Sequence, residues 1–228
     1  MKIVAWNIRQ GGGSRIHKIA KSLLTYHADI LVISEFHNTK SGSTLKSKLK
    51  DAGYTFQHST TEPRKNTVLI ASKIDGDFAT YYNRIVLFPE GIVSITFEDF
   101  IIYGVYLPHK KKHQLFEFLM EEINNEKAGI IIGDYNSGIN FLDQKGDSFW
   151  YTEYFPKFLE AGYLDAFRVI HDDKKEYSWY SHQGNGFRYD HCWLHKTLVS
   201  SVKDCYFSHV ERENKISDHS IMVLELDF

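Results

Sequence analysis

The feature that most constrains the fold of this chain is an apolar run that stops abruptly at polar side chains. Residues 128–132 read Ala-Gly-Ile-Ile-Ile and lead directly into Gly133, Asp134, Tyr135 and Asn136. A short β-branched run that stops at a glycine is typical of a buried strand. Strand ends in α/β sheets present polar groups to ligands. The sequence therefore predicts an α/β fold with Asp134 and Asn136 at the end of a strand.

Polar side chains lie at the ends of the other strand-like runs as well. They are Asn7, Glu35, Tyr106, Arg188, Asp190, Asp218 and His219. Carboxylate and carboxamide oxygens suit a hard cation. A histidine, an amide and a tyrosine can donate hydrogen bonds to a phosphate, and a further carboxylate can take a proton from water. Each residue alone would fit a turn, a cap or a surface ion pair equally well, but the combination indicates phosphoryl chemistry.

The number of strand-like runs exceeds what one simple sheet of alternating strands and helices needs. We therefore predict a four-layer α/β/β/α sandwich, in which two packed mixed β-sheets are flanked by helices. The expected elements include strands over residues 81–87 and 164–169, a hairpin turn at Glu98-Asp99, and helices over residues 112–124 and 151–160. No Pro-, Gly- or Ser-rich linker interrupts the chain, so residues 1–228 are predicted to form one domain.

Composition narrows the functional classes. With 27 basic and 29 acidic residues the net charge is -2, so bulk charge does not indicate a nucleic-acid binder and any basic surface must be local. The two cysteines, Cys192 and Cys205, suit a reducing cytoplasm better than a disulfide framework. We expect a cytoplasmic protein without a signal peptide or membrane segment, because the chain opens with a strand-like run and no apolar stretch could span a bilayer. The histidines form no His-Glu-x-x-His motif, so a zinc site is not expected.

Six motifs follow one another in a fixed order: Trp6-Asn7, Glu35, Tyr106-x-Pro108, Gly133-Asp134-x-Asn136, Arg188-x-Asp190 and Ser217-Asp218-His219. Together they resemble the endonuclease/exonuclease/phosphatase superfamily over nearly the whole chain. The tyrosine motif, and the arginine two residues before the aspartate, are most similar to the exonuclease III and AP endonuclease branch. That branch usually has lysine where this chain has His37, and often asparagine where it has His109. These departures bear on substrate specificity more than on catalysis.

The resemblance implies a role for each matched residue. The residues implied to bind Mg²⁺, for which Mn²⁺ can substitute, are Glu35, Asn7 and Asp218. Among the residues implied to act in catalysis, Asp134 orients and deprotonates the attacking water. Asn136, Tyr106 and His219 hold the phosphate. Asp190 hydrogen-bonds His219.

Four further residues are predicted to bind the substrate. Lys110 and Lys111 directly follow the tyrosine motif and could track a phosphate backbone. Trp179 could stack on an unpaired nucleotide, and Arg188, two residues before Asp190, is expected to bind the substrate.

These predictions combine into a metal-dependent nuclease, a monomer that hydrolyses DNA as a 3′-exonuclease, an AP endonuclease or both. An alternative keeps the same catalytic groups but takes a phospholipid, a phosphoinositide or a small nucleotide, which the near-neutral charge and the short chain favour. A third interpretation is a binding module that has lost catalysis. It is disfavoured because no core catalytic position is visibly replaced.

Overall fold

The computed structural model describes residues 1–60, 62–123 and 127–227. Its strands are β1 (Lys2–Asn7), β2 (Ile30–Phe36), β3 (Phe56–Ser59), β4 (Thr67–Ser72), β5 (Asp77–Thr80), β6 (Ile92–Thr96), β7 (Phe100–Tyr106), β8 (Ala128–Asp134), β9 (Tyr163–Asp165), β10 (Trp179–Tyr180), β11 (Gly186–Phe187), β12 (Asp190–His195), β13 (Val202–Ser208) and β14 (Ile221–Leu226). Its helices are α1 (Ile16–Thr25), α2 (Lys40–Asp51), α3 (His113–Glu122), α4 (Tyr154–Glu160), α5 (Ala166–His171) and α6 (Val210–Glu213).

The strands form two six-stranded mixed sheets and a small ribbon of β10 and β11. The first sheet has the order β13-β14-β1-β2-β4-β3, and the second has the order β5-β6-β7-β8-β12-β9. β1 and β2 are parallel in the first sheet, as are β7 and β8 in the second, and the other described pairs are antiparallel. The pairing of β6 with β7 confirms the hairpin predicted at Glu98-Asp99.

The sheets pack face to face through a core that both supply. Ile3 of the first sheet and Ile102 of the second are both fully buried in it. On the outer face of the first sheet, α1 and α2 bury Ile19 and Leu45, and on the outer face of the second, α3 and α4 pack around Phe116. Removal of these apolar faces from water stabilises the four layers, and the predicted α/β/β/α sandwich is confirmed.

The strand predicted over residues 81–87 is wrong. The preceding strand, β5, ends at Thr80. The chain then makes a helical turn in which Ile85 N–H donates to the Tyr81 carbonyl at 2.9 Å. Ile85 is buried whereas the adjacent Val86 is 82% exposed. A single buried apolar residue beside an exposed one imitates strand alternation, but here it reflects the turn.

The strand predicted over residues 164–169 is also wrong in its second half. β9 ends at Asp165, whose carboxylate accepts a hydrogen bond from Phe167 N–H at 3.0 Å and so caps α5. A short apolar run does not distinguish a strand from a helix, which explains the error.

Helices α3 and α4 confirm the helices predicted over residues 112–124 and 151–160, although both are shorter than predicted. The predicted end of the first of them, Asn124, lies outside the described residues. Within the described ranges, none of the helices is both long and apolar enough to cross a bilayer.

Candidate active site

The strand registers bring the predicted residues together. Tyr106 at the end of β7 is in register with Asp134 at the end of β8, and Asp134 is in turn in register with Asp190 at the start of β12. The other sheet contributes Asn7 from the end of β1 and His219 from just before β14. The candidate site therefore lies where strand ends of the two sheets converge.

Asp134 has no exposed surface and is held by donors from both sheets. Its Oδ2 accepts from Asn7 Nδ2 at 2.8 Å and from Asn136 Nδ2 at 3.1 Å. Its Oδ1 accepts from Asn136 backbone N–H at 2.8 Å. Asn136 has a φ of 45°, in the left-handed region that asparagine tolerates better than most residues. The turn after β8 thus folds back over the carboxylate.

His219 lies between two carboxylates. Its Nδ1 is 2.8 Å from Asp190 Oδ2, and its Nε2 is 4.0 Å from Asp134 Oδ2. The shorter contact fixes the tautomer and ring orientation. The longer one exceeds a hydrogen bond, so no direct hydrogen bond joins Nε2 to Asp134.

Asp134, Asp190 and His219, called the site cluster below, carry an unbalanced charge. Burial raises the pKa of Asp134 to about 7, an effect that His219 opposes and Asp190 reinforces. Burial also disfavours the imidazolium, but Asp190 and Asp134 outweigh it and raise the pKa of His219 to about 10. At neutral pH His219 is therefore charged, and the pKa of Asp134 is suited to a group that takes up a proton.

The site cluster is also a candidate metal-binding group. Within the described residues it is the set of three His, Cys, Asp or Glu side chains whose ligand atoms lie within 4.8 Å of one another. All three residues are buried. The hydrogen bond between His219 Nδ1 and Asp190 Oδ2 uses atoms that a metal ion in this cluster would also need.

Glu35 lies beside the site cluster in a strained conformation. It interrupts the pairing of β2 with β4 and has a φ of 52°, which is costly for a non-glycine residue and is often retained at functional sites. Its carboxylate accepts from Asn7 Nδ2 at 3.2 Å and from Gln10 N–H at 2.6 Å. Both donors are neutral, and no described lysine or arginine forms an ion pair with it, so its charge is available to a cation.

Asn7 and Asp218 have different contacts. Asn7 directs its amide nitrogen to Glu35 and to the site cluster, while its oxygen accepts from Arg9 N–H at 2.8 Å. Asp218 Oδ2 is 3.5 Å from Trp179 Nε1 and 3.7 Å from Arg9 Nε. The structure thus brings Asn7 to the carboxylates as a donor and brings Asp218 to Trp179.

Tyr106 presents its hydroxyl at the same strand end. Its Oη accepts from Asn66 Nδ2 at 3.0 Å. Burial, together with the charges of Glu35 and Asp134, raises the pKa of the Tyr106 phenol. The hydroxyl therefore remains protonated and can donate.

Two open cavities flank these groups. One of about 490 Å³ has mainly aromatic walls, and its lining includes His109, Asn136, Trp150, Trp179, Phe187 and Tyr189. The other, of about 640 Å³, has a basic and polar wall that includes His37, Arg64, Lys65, Asn66 and Tyr106. The site is therefore bordered by an aromatic side and a basic side.

Three of the predicted substrate-binding residues lie at or near the aromatic cavity. Trp179 lines it. Lys110 places its Nζ 5.0 Å from the ring centroid of Trp150 at the same wall. Lys111 is exposed, and its backbone N–H donates to Tyr151 Oη at 2.9 Å.

The fourth predicted substrate-binding residue, Arg188, does not reach the site. Its side chain is fully buried, with Nε 2.8 Å from Asp143 Oδ1 and Nη2 2.6 Å from Asp165 Oδ2. Arg168 also pairs with Asp143. The prediction that Arg188 contacts the substrate is wrong, because the two acids hold its guanidinium inside the protein. Arg188, Asp143 and Asp165 are called the arginine cluster below.

Sequence reasoning missed Lys112, which lies beneath the turn that follows β8. Its ammonium donates to the carbonyls of Tyr135 and Asn136 at 2.6 and 2.7 Å, and the residue has no exposed surface. In the sequence Lys112 looked like the third member of a solvated basic run. Only its position immediately before α3 distinguished it from Lys110 and Lys111.

Known proteins resemble this chain over most of its length. The family described as "Endonuclease/Exonuclease/phosphatase family" matches residues 4–219. An exodeoxyribonuclease from Streptococcus pneumoniae is 24% identical, with the whole of both chains covered. An exodeoxyribonuclease from Bacillus subtilis is 26% identical over 145 residues, which are 51% of this chain and 57% of that protein.

Solved structures share the fold. An AP endonuclease from Archaeoglobus fulgidus has a TM-score of 0.86 and 21% sequence identity, and both chains are covered completely. These relatives confirm the resemblance to exonuclease III and AP endonucleases. The chain belongs to the Endonuclease/Exonuclease/phosphatase family.

Proposed function

We propose that this protein is a divalent-metal-dependent DNA phosphodiesterase that acts as a 3′-exonuclease, an AP endonuclease or both. The observation that carries the proposal is Asp134, a buried carboxylate facing the charged His219 across 4.0 Å at a strand end between two cavities. The exodeoxyribonuclease and AP endonuclease names of the relatives favour DNA over other phosphate esters. We also propose that residues 1–228 form one domain and act as a monomer.

The donor set beside the site cluster fits a hard cation. Glu35 offers a carboxylate without a cationic partner among the described residues, and oxygen ligands of this kind suit Mg²⁺ or Mn²⁺. Glu35 would hold the ion, with Asn7 and Asp218 near it. Asn7 would have to turn its oxygen away from Arg9 N–H to serve as a ligand. When bound, the ion would neutralise charge that develops on the phosphate.

The residues of the chain divide the remaining work. Asp134 accepts a proton from the attacking water, whose oxygen forms the new bond to phosphorus as the sugar oxygen leaves. His219, charged and oriented by Asp190, and the hydroxyl of Tyr106 donate to phosphate oxygens. Asn136 holds Asp134 in place, and it can reach a phosphate oxygen by exchanging its 3.1 Å bond to the Leu107 carbonyl.

A substrate panel tests the proposal. Duplex DNA with an abasic site, DNA with a recessed 3′ end, and single-stranded DNA are incubated with Mg²⁺, Mn²⁺ or EDTA. We expect cleavage of at least one DNA substrate with either metal and none in EDTA. Asp134→Asn protein, prepared in the same way, measures contaminating nuclease. Hydrolysis of phosphoinositides or small nucleotides without metal-dependent DNA cleavage would overturn the choice of substrate.

A further inference from the structure

Three side chains form a hydrogen-bonded line along the basic cavity. His37 Nε2 is 2.6 Å from Asn66 Oδ1, and Asn66 Nδ2 is 3.0 Å from Tyr106 Oη. All three residues line that cavity. His37 follows β2 and Asn66 precedes β4, both in the first sheet, whereas Tyr106 ends β7 in the second. The chain of hydrogen bonds therefore joins both sheets.

The amide of Asn66 gives this line a direction. An amide nitrogen can only donate and an amide oxygen can only accept. Because Asn66 Nδ2 donates to Tyr106 Oη, Asn66 Oδ1 faces His37, and His37 Nε2 must carry the hydrogen. Tyr106 therefore accepts through an oxygen lone pair, and its own proton is left for another acceptor, of which the Glu35 carboxylate is one until a phosphate binds.

The backbone packs closely against His37. Gly11 has a φ of 68°, and a Cβ there would come within 2.7 Å of the His37 side chain. A Cβ on Gly42 would come within 2.0 Å of the His37 carbonyl oxygen. Glycine at position 11 therefore leaves room for the imidazole, and glycine at position 42 leaves room for the backbone that carries it.

We infer that His37 and Asn66 are positioning residues that hold the Tyr106 hydroxyl as a hydrogen-bond donor toward the substrate phosphate. The inference rests on the proposed function, which puts a phosphate at this strand end. Its physical basis is that a phenol left to rotate can present either its proton or its lone pairs. A donor held in advance toward a developing negative charge loses no free energy to reorientation during the reaction.

A double-mutant cycle tests the line of hydrogen bonds. We expect Asn66→Ala to lower kcat about tenfold with little change in KM, the size of one neutral hydrogen bond. Tyr106→Phe should lower kcat about 10²-fold, as the loss of a preorganised donor does. In the Tyr106→Phe background, Asn66→Ala should cost almost nothing further. An equal tenfold cost in both backgrounds would overturn the inference.

An isosteric variant separates direction from shape. Asn66→Asp keeps the size of the side chain but replaces the donor with an acceptor, so it would attract the Tyr106 proton away from the phosphate. We expect kcat of Asn66→Asp to fall below that of Asn66→Ala. A kcat for Asn66→Asp near the wild-type value would contradict a positioning role, since only the shape would then matter.

Substitution of His37 supplies the conservative comparison. His37→Gln retains an N–H donor for Asn66 and should keep more activity than His37→Ala. Gln57→Ala is the matched control. Its amide donates two hydrogen bonds, to the carbonyls of Lys46 in α2 and of Tyr54 before β3, and it does not line either cavity. Thermal unfolding of every variant separates lost folding from lost kcat.

The outcome is distinguishable from failure of the proposed function. If the wild-type protein cleaves no DNA, the choice of substrate fails, and the same cycle is run with the phosphate ester that it does hydrolyse. If the wild type cleaves DNA but the cycle shows no coupling between Asn66 and Tyr106, the positioning role alone fails.

Discussion

The site cluster and the arginine cluster handle buried charge in opposite ways, although Arg188 and Asp190 are only two residues apart. In the arginine cluster, Arg188 contacts a different carboxylate with each of two nitrogens, and Arg168 adds a second guanidinium. Two acids therefore meet two guanidinium groups, and His191 Nδ1 also lies 3.5 Å from Asp165 Oδ2. In the site cluster, two buried carboxylates share the single imidazole of His219.

The pKa values follow this difference. Burial opposes ionisation of Asp143 and Asp165, but Arg188 and His191 together outweigh it and lower the pKa of both carboxyls below their ordinary value. Burial raises the pKa of Asp134 instead, and the attraction of His219 does not cancel it. The cost of burying a charged carboxylate is therefore offset by cationic partners in the arginine cluster but not for Asp134 in the site cluster.

This contrast indicates which cluster serves structure and which serves chemistry. A buried ion pair with matched charges holds segments together, and its loss is costly. Unpaired negative charge at a strand end beside two cavities is typical of a functional site, where a bound cation can neutralise it and a substrate can enter. Charge balance, rather than burial or residue type, distinguishes the two.

Removing one carboxylate from each cluster gives the largest expected difference. We expect Asp134→Asn to lower kcat on DNA by at least about 10³-fold, because an amide cannot take a proton from water, with little change in the free energy of unfolding. Asp165→Asn should instead lower the free energy of unfolding by about 3 kcal/mol and leave the kcat of the folded protein unchanged. Single-turnover cleavage and urea unfolding measure the two effects. Similar losses of kcat in both variants would remove the distinction between the clusters.

Substitution of Arg188 tests the arginine cluster alone. Arg188→Met leaves Asp143 and Asp165 without their shared partner, so we expect the free energy of unfolding to fall by about 3–5 kcal/mol. Lys2→Met is the control, because Lys2 and Glu225 form an ion pair in which both side chains are part-exposed, and its loss should cost less than about 1 kcal/mol. Equal destabilisation by both variants, measured in urea, would show that the buried pair is not special.

The pH dependence of stability should also separate the clusters. The lowered pKa of Asp165 makes its stabilisation complete above its ordinary value of 3.8 and lost as the pH falls. The raised pKa of His219 makes its stabilisation complete below 6.5 and lost as the pH rises through about 10. In EDTA, the difference in unfolding free energy between wild type and Asp165→Asn should therefore shrink only in acid, and that for His219→Gln only in alkali. Loss of both differences over the same pH range would contradict these assignments.

Local patterns in the sequence predicted the layers and the polar strand ends, because an apolar run followed by polar residues is a local signal. They failed for Arg188, whose partners Asp143 and Asp165 lie 45 and 23 residues away. Asp190, two residues later, was placed in the site cluster from the same motif. A local pattern therefore located the motif but could not show which of its two charges would be neutralised inside the protein.

The same limit applies to elements that join a strand to a helix. β9 and α5 together form one apolar run around Asp165, and only the capping hydrogen bond to Phe167 N–H separates them. Asn66 gave no sequence signal either, because it acts through contacts with His37 and Tyr106, residues from other strands. Such tertiary partners become visible only in the folded chain.

Lys112 tests whether the site cluster contains a hidden counter-charge. Lys112→Met leaves the carbonyls of Tyr135 and Asn136 without their donor, so the free energy of unfolding should fall by about 1–3 kcal/mol and kcat about tenfold. Lys111→Met, its exposed neighbour, should leave stability unchanged and weaken only the binding of DNA, more at low salt than at high. Thermal unfolding and cleavage rates measure both variants.

The sign of the pH effect decides the role of Lys112. Burial lowers its pKa to about 7, although Asp134 opposes this, so the folded protein disfavours the charged form and the contribution of Lys112 to stability should grow as the pH rises from 7 toward 10.5. The destabilisation by Lys112→Met should therefore be larger at pH 10 than at pH 7. The reverse order would mean that the ammonium balances Asp134, and the site cluster would then resemble the arginine cluster in its charge.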